Sequence, residues 1–336
     1  MLLRLELEER EHRELSQFAT KSDETKGRGI PEEKCQLRTE FQRDRDRIIH
    51  SKALRRLMHK TQVFLSPEGD HFRTRLTHTL EVSQISRIIA RSLGLNEDLT
   101  EAIAMGHDLG HTPFGHNGEE SLNKVHPAGF KHNEQSLRVV DILESSSHGP
   151  GLNLTYEVRD GILNHSGDHI PSTMEGQIVR ISDRVAYINH DIDDAIRAHI
   201  IKESDLPGES IKVIGNTHRT RINTLVIDIV RNSENLNSIV QSPLCKEHMN
   251  ILRDYMFQNV YKSNIVKKHE ELYKIEKMIE SLYEYFLKNP KKMPRECQQM
   301  INGFGVADVV KDYIAGMTDR YAINVYSEIF IPKGWK

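Results

Sequence analysis

Apolar positions recur along this chain mostly at three- and four-residue steps, the spacing that gathers them on one face of a helix. From Leu76 onward, His78, Val82, Ile85 and Ile89 share such a face. Gly94 marks a helix stop, and Asn96 is placed to cap the next helix. That helix carries Leu99, Ile103 and His107 on one stripe. A further helix is expected over residues 132–144, and a long one over 174–198. The long one has two faces. Ile178, Ile181, Val185, Ile188, Ile192 and Ala195 form the apolar face, and Arg180, Asp183, Arg184, Tyr187, Asp191 and Asp194 the polar face. Near the end, Leu272, Ile275, Ile279, Leu282 and Phe286 align until Asn289-Pro290 stops the run, a packing helix against this chain or another subunit. There is no internal repeat and little strand signal, so the fold class is all-α.

The segments between are polar or broken. Residues 1–33 end in glycine and proline and read as a loosely packed arm. Residues 38–60 are strongly basic, with Asp44 and Asp46 interleaved, which predicts a helix that is largely solvated. VFLSPEGDHF, residues 63–72, predicts a loop or short hairpin, and SSSHGPGLN, residues 145–153, a flexible loop.

Composition narrows the class of partner. Of the 336 residues, 37% are hydrophobic and 28% charged, and the formal net charge is -3. A chain this long can bury a core without disulfide staples. The charge balance excludes a general nucleic-acid or membrane-surface binder, so an anionic ligand must be held by local positive charge. Cys35, Cys245 and Cys297 are far apart and form no CxxC pair, which argues against a cysteine-based zinc site and suits a reducing cytoplasm. The N-terminus shows no signal-peptide pattern, and no apolar run is long enough to span a bilayer.

Histidine is the unusual feature. Of 18 in the chain, 14 fall between His50 and His199. The stretch AMGHDLGHTPFGH, residues 104–116, holds His107, Asp108, His111 and His116. Two neighbouring helices each place a histidine, His78 and His107, on an otherwise apolar face. Such residues are either core histidines bonded to carbonyls or metal ligands. Together with the adjacent Asp108 and the glycine-rich loop that follows, they favour a metal. Asp183 on the polar stripe is the best candidate for a fourth ligand. An imidazole and carboxylate set without thiolate suits Mg, Mn, Fe, Ni or Zn and does not choose among them. His111 and His116 lie where glycines let a ligand approach the backbone. His116, with Glu119 three residues on, is suited to general acid work, and the pattern equally allows an ordinary exposed loop. Tyr187 and Asp191, in line with Asp183, could face a sugar or phosphates, or only water.

RTEFQRDRDRIIHSKALRRLMHKTQVF, FRTRLTHTLEVSQISR, GHDLGHTPFGHNGEESLN, FKHNEQSLRVVD and ISDRVAYINHDIDDAI together resemble the bacterial dGTP triphosphohydrolase-like proteins of the HD superfamily. The resemblance is dense over residues 36–200, and DYIAGMTDRYA near the end is also similar. It implies an HD-domain helical metallohydrolase with a helical C-terminal region. Residues 1–60 would form an arm and basic helix, 61–200 the HD catalytic core and 201–336 helices packing on it. The metal ligands it implies are His78, His107, Asp108 and Asp183, holding Mg, Mn or another first-row ion such as Fe, Ni, Co or Zn. His116 falls on the catalytic loop histidine, Glu119 on its acidic partner and His111 on a phosphate contact. Arg75, His132 and Arg184 match substrate-binding positions, Tyr187 and Asp191 those that hold a deoxyribose, and Gln62 a contact to its 3′-hydroxyl. The implied reaction is hydrolysis of a deoxynucleoside triphosphate, dGTP among them, to deoxynucleoside and inorganic triphosphate. A cytoplasmic homo-oligomer, with a dNTP or single-stranded DNA as a conceivable effector, is the implied setting. The alternatives are an HD phosphohydrolase on a monophosphate or signalling nucleotide, and a non-catalytic nucleotide- or ssDNA-binding regulator.

Overall fold

The computed structural model describes residues 3–62, 73–146, 149–261 and 269–332. The expected loop over 63–72 lies outside the described residues. The architecture is helical, and the one sheet among the described residues is a two-residue ladder. It pairs Ser145–Ser146 with Gly149–Pro150, where a flexible loop was expected.

The periodic segments form the helices they predict. The first runs Arg75–Ser92, opened by Thr74, whose hydroxyl accepts from the Thr77 amide. The second, Glu97–Gly106, is capped by Asn96, whose side-chain oxygen accepts the Leu99 N–H at 3.2 Å. A cap of this kind is worth about 1 kcal/mol. The long helix spans Met174–Arg197, with Thr173 as its cap. The expected 132–144 helix divides into an α-helix His132–Arg138 and a π turn Val139–Leu143.

Val82, Ile85 and Ile89 meet Leu99, Ile103, Ile178, Val185 and Ile192 in one buried cluster, to which helix Glu40–Ile49 adds Phe41 and Ile48. Residues 201–261 add Ile214, Leu225, Ile229, Met249, Leu252 and Val260 to the same cluster. A second cluster joins Phe114, Leu122 and Phe130 to Ile275, Ile279, Leu282 and Phe286 of helix His269–Lys288. That helix therefore packs on this chain's own helix Gly115–Val125.

Two polar segments depart from expectation. The N-terminal arm is anchored rather than loose. Arg4–Glu14 is helical, and the Thr20 amide and hydroxyl both bond Glu175 at 3.0 Å. Thr25 Oγ1 and the Lys26 N–H bond Glu157 at 2.6 and 2.8 Å. Glu157 and Glu175 are buried in the first turns of their helices. The arm's polar side chains and amides thus supply their hydrogen bonds, which is why it packs rather than frays.

The basic stretch is likewise not a solvated helix. It breaks into Glu40–Ile49, Lys52–Arg56 and a short turn Leu57–His59. Asp44 is fully buried and paired with Arg28, and Arg43 meets Glu32 at 2.7 Å. Buried acids inside a basic run convert it from a surface into an ion-paired seam.

Candidate active site

Three helices converge on one buried spot. Arg75–Ser92 brings His78, the end of Glu97–Gly106 brings His107 and Asp108, and Met174–Arg197 brings Asp183. His78 Nε2 stands 3.0 Å from Asp183 Oδ1. His107 Nε2 lies 3.8 Å from the same oxygen and 3.6 Å from Asp108 Oδ1. His107 is held by its other nitrogen, Nδ1, which bonds the Ala104 carbonyl at 2.6 Å. That bond leaves Nε2 as the lone-pair nitrogen facing the two carboxylates, the tautomer a metal requires. His78 Nδ1 lies 3.4 Å from His190 Nδ1, a contact in which either ring can donate.

His78, His107 and Asp108 offer ligand atoms close enough together for one ion. Two imidazoles and two carboxylates with no thiolate fit a hard or borderline divalent cation. Burial opposes ionisation of Asp108 and Asp183, yet the surrounding histidines, and Arg75 at Asp108, outweigh it and hold both carboxyls below their ordinary range. Both therefore stay anionic, as ligands must.

A second group adjoins the first. His111 Nε2 is 3.3 Å from Asp108 Oδ1, and its ring stacks on His132 with centroids 4.2 Å apart. Glu119 reaches back to both neighbours, 3.4 Å from His116 Nδ1 and 2.9 Å from His132 Nδ1. Burial disfavours a charged Glu119, but bonds to His116 and His132 prevail and keep it anionic. The same bond raises the His132 pKa against the effect of burial. Burial and Arg75 push His111 well down, so it is neutral. His116 is 72% exposed and stands at the first turn of helix Gly115–Val125.

The irregular stretch expected after Asp108, residues 109–118, ends sooner, because helix Gly115–Val125 already takes in His116 and Gly118, and the glycines have specific reasons. A Cβ on Gly110 would sit 2.1 Å from the Ser136 amide nitrogen, so the loop presses against the helix that bears His132. Gly115 has φ +57°, and a Cβ there would meet the Gln62 carbonyl at 2.9 Å and Arg75 Nη2 at 3.3 Å. These contacts place Gln62 and Arg75 beside the histidine loop.

Arg75 is 1% exposed. Its Nη1 donates to Asp108 Oδ2 at 2.9 Å, while Nε and Nη2 are buried without a partner. Gln62 Oε1 is unpartnered as well. A buried guanidinium with idle donors is costly unless a ligand completes it.

The polar stripe of the long helix is mostly not solvated. Asp191 and Asp194 are each 3% exposed. Asp191 accepts a short hydrogen bond from the Tyr261 hydroxyl, and burial pushes its carboxyl up to about 7. Tyr187 is half-buried on the same face, and Arg184 donates to Asn250 at 2.9 Å. Arg180 instead bonds the carbonyls of Asn164 and Gly167, which closes the 164–169 turn.

Sequence reasoning missed three side chains here. His165 lies against His107, ring centroids 5.1 Å apart, with its Nε2 3.3 Å from His132 Nε2. His190 backs His78 and has Glu81 at 3.4 Å. Both were visible as histidines near helix ends or faces in ILNHSG and YINHD, and only their order in space was hidden. Tyr261 carried no signal at all, being seventy residues from Asp191.

Residues 75–188 match the HD domain, and residues 239–328 match the phosphohydrolase-associated domain. A deoxyguanosinetriphosphate triphosphohydrolase-like protein of Caldanaerobacter subterraneus subsp. tengcongensis is 58% identical over 98% of this chain and 96% of its own length. The chain belongs to this family of HD-domain phosphohydrolases. A like-named protein of Clostridium tetani is 48% identical over 99% of this chain and 97% of its own. The crystal structure of a phosphohydrolase from Bacteroides thetaiotaomicron shares the fold, with TM-score 0.53 at 17% identity over 84% of this chain and 68% of that one. HD domains bind divalent metals, and the buried His/Asp cluster of this family member lies within the matched span. No helix among the described residues is long and apolar enough to cross a membrane.

Proposed function

We propose that this protein hydrolyses deoxynucleoside triphosphates to deoxynucleoside and inorganic triphosphate. The observation that carries the reading is Arg75. Its idle, buried Nε and Nη2 adjoin the carboxylate of a metal-binding cluster, which is where a polyphosphate would complete them. The name shared by the family's relatives supports a triphosphate substrate.

In this reading His78, His107, Asp108 and Asp183 hold a divalent ion, which when bound supplies Lewis acidity at a phosphoryl oxygen. Arg75 and Arg184 offset phosphate charge, and neutral His111 contacts a phosphate oxygen. Water attacks the α-phosphorus and the bond to the 5′-oxygen breaks. His116, held by Glu119, delivers a proton to that leaving oxygen. His132 shares Glu119 with His116 and orients it. Tyr187 and Asp191 receive the deoxyribose, where the tyrosine ring crowds a 2′-hydroxyl, and Gln62 meets the 3′-hydroxyl.

Separation of products after incubating the protein with each dNTP, and with mixtures, in Mg, Mn or Co tests this. Inorganic triphosphate with deoxynucleoside is expected. Release of monophosphate or pyrophosphate instead, or four untouched dNTPs under every condition, overturns the reading.

A further inference from the structure

Two buried carboxylates outside the site lie at the seam between the histidine loop and the C-terminal helices. Asp319 opens helix Asp319–Phe330 and is 8% exposed. Its Oδ1 accepts the backbone N–H of Phe114 at 2.9 Å. Its Oδ2 accepts the backbone N–H of Thr61 at 3.0 Å and also the Thr61 hydroxyl. Phe114 is the residue just before Gly115 and His116, and it sits at φ +62°. That left-handed conformation is unfavourable for a side chain such as phenylalanine, so something must hold it.

The neighbouring bonds act on the same segment. Lys60, 2% exposed, donates to the carbonyls of His111 and Ala315, the latter at 2.7 Å. Asp312 accepts from Gln135 Nε2 at 2.9 Å and Arg138 Nε at 2.8 Å, both on the helix that starts at His132. These bonds cross a seam that is also packed, since Phe114 is in one apolar cluster with Ile314, Met317 and Ala322. A cavity of about 490 Å³ lies along it, lined among others by Lys60, Gly110, Gln135, Asp312 and Tyr321. Beside that cavity the polar contacts add direction to the apolar packing.

We propose that Asp319 is a positioning residue for the loop that carries His111 and His116. It acts through the Phe114 amide, by holding the left-handed turn that presents those imidazoles to the site. The C-terminal helices in this way complete the catalytic loop without touching substrate. The kinetic half of the test rests on the triphosphohydrolase reading, and the exchange half does not.

The test is Asp319→Asn in the full-length, metal-loaded protein, since an amide cannot accept hydrogen bonds on both sides. Backbone amides of 111–116 should exchange with deuterium about tenfold faster or more, with metal content held and Tm lowered only modestly. Against dNTP, kcat should fall roughly 10–100-fold with KM nearly unchanged, the size expected when a catalytic group is displaced slightly. The loss should largely vanish on a His116→Ala background, because the two act as one unit. If Asp319→Asn is recovered unfolded, Thr61→Val removes one bond aiming the carboxylate and should give the same changes at smaller size. Unchanged exchange at 111–116 in the folded variant overturns the proposal. So does a kcat loss that multiplies in full with His116→Ala. A wild type inert to every dNTP would sink the substrate reading, and exchange would still decide the role of Asp319.

Discussion

Arg75 Nη1 lies 2.9 Å from Asp108 Oδ2, so one carboxylate faces the histidine cluster with one oxygen and anchors a buried guanidinium with the other. In the proposed reading, metal and phosphate recognition are thereby tied through a single side chain. Asp108→Ala should lose bound metal, measured by elemental analysis of the purified protein, and lose activity with it. Full metal occupancy in that variant would remove Asp108 from the ligand set.

Chelation separates the two functions of the cluster. Treatment with EDTA should abolish turnover, and added Mn or Co should restore it, because helix packing already brings His78, His107 and Asp108 together. Undiminished turnover in the verified metal-free protein would exclude the metal-dependent reading.

His116 sits outside the buried cluster, and its substitution should not disturb the ion. His116→Ala should keep metal stoichiometry and lower kcat by about 10²–10⁴. Metal loss in His116→Ala would show that helix and loop do not divide the work as described.

Tyr261→Phe removes the hydroxyl that donates to buried Asp191. Tm should fall modestly, by an amount corresponding to about 1–3 kcal/mol. KM for the deoxynucleotide should rise, since the freed carboxylate no longer has one orientation. An unchanged KM would argue that Asp191 does not meet the sugar.

A pH-dependent contribution is expected at Glu32. Burial opposes its ionisation, but bonds from Arg47 and Asn153 prevail and hold its pKa at about 2. A depressed carboxyl stabilises the folded state above its ordinary pKa near 4.5, and that stability is lost as pH falls from there towards 2. Glu32→Gln should therefore lower Tm relative to wild type at pH 7, with the gap narrowing at pH 3.5. A gap that widened in acid would contradict the assigned sign.

Much of the site was legible before folding. His78 and His107 stood out because a histidine interrupts an apolar stripe, and helical spacing told which stripe. Asp183 followed from the polar edge of the long helix. Spacing pairs His116 with Glu119 and leaves the roles of the loop histidines open, and that Glu119 also bonds His132 emerges only where the helix Gly115–Val125 meets His132. In the arm and the basic stretch, polar composition does not mean solvent contact. Thr20 and Arg28 answer buried Glu175 and Glu40 on other helices, and Arg43 answers Glu32 in the arm and Glu40 one turn before it.

The sequence by itself determined the all-α class and the helix cap at Asn96, and it singled out His78, His107, Asp108 and Asp183 as candidate ligands. These depend on periods of three and four residues and on short capping patterns, which any local window contains. Only the tertiary structure decided that His165 stands behind His107, that Tyr261 completes Asp191, and that Asp319 clamps the Phe114 amide 205 residues away. Such pairs are brought together by the packing of whole helices, and no local spacing records which distant side chain will arrive.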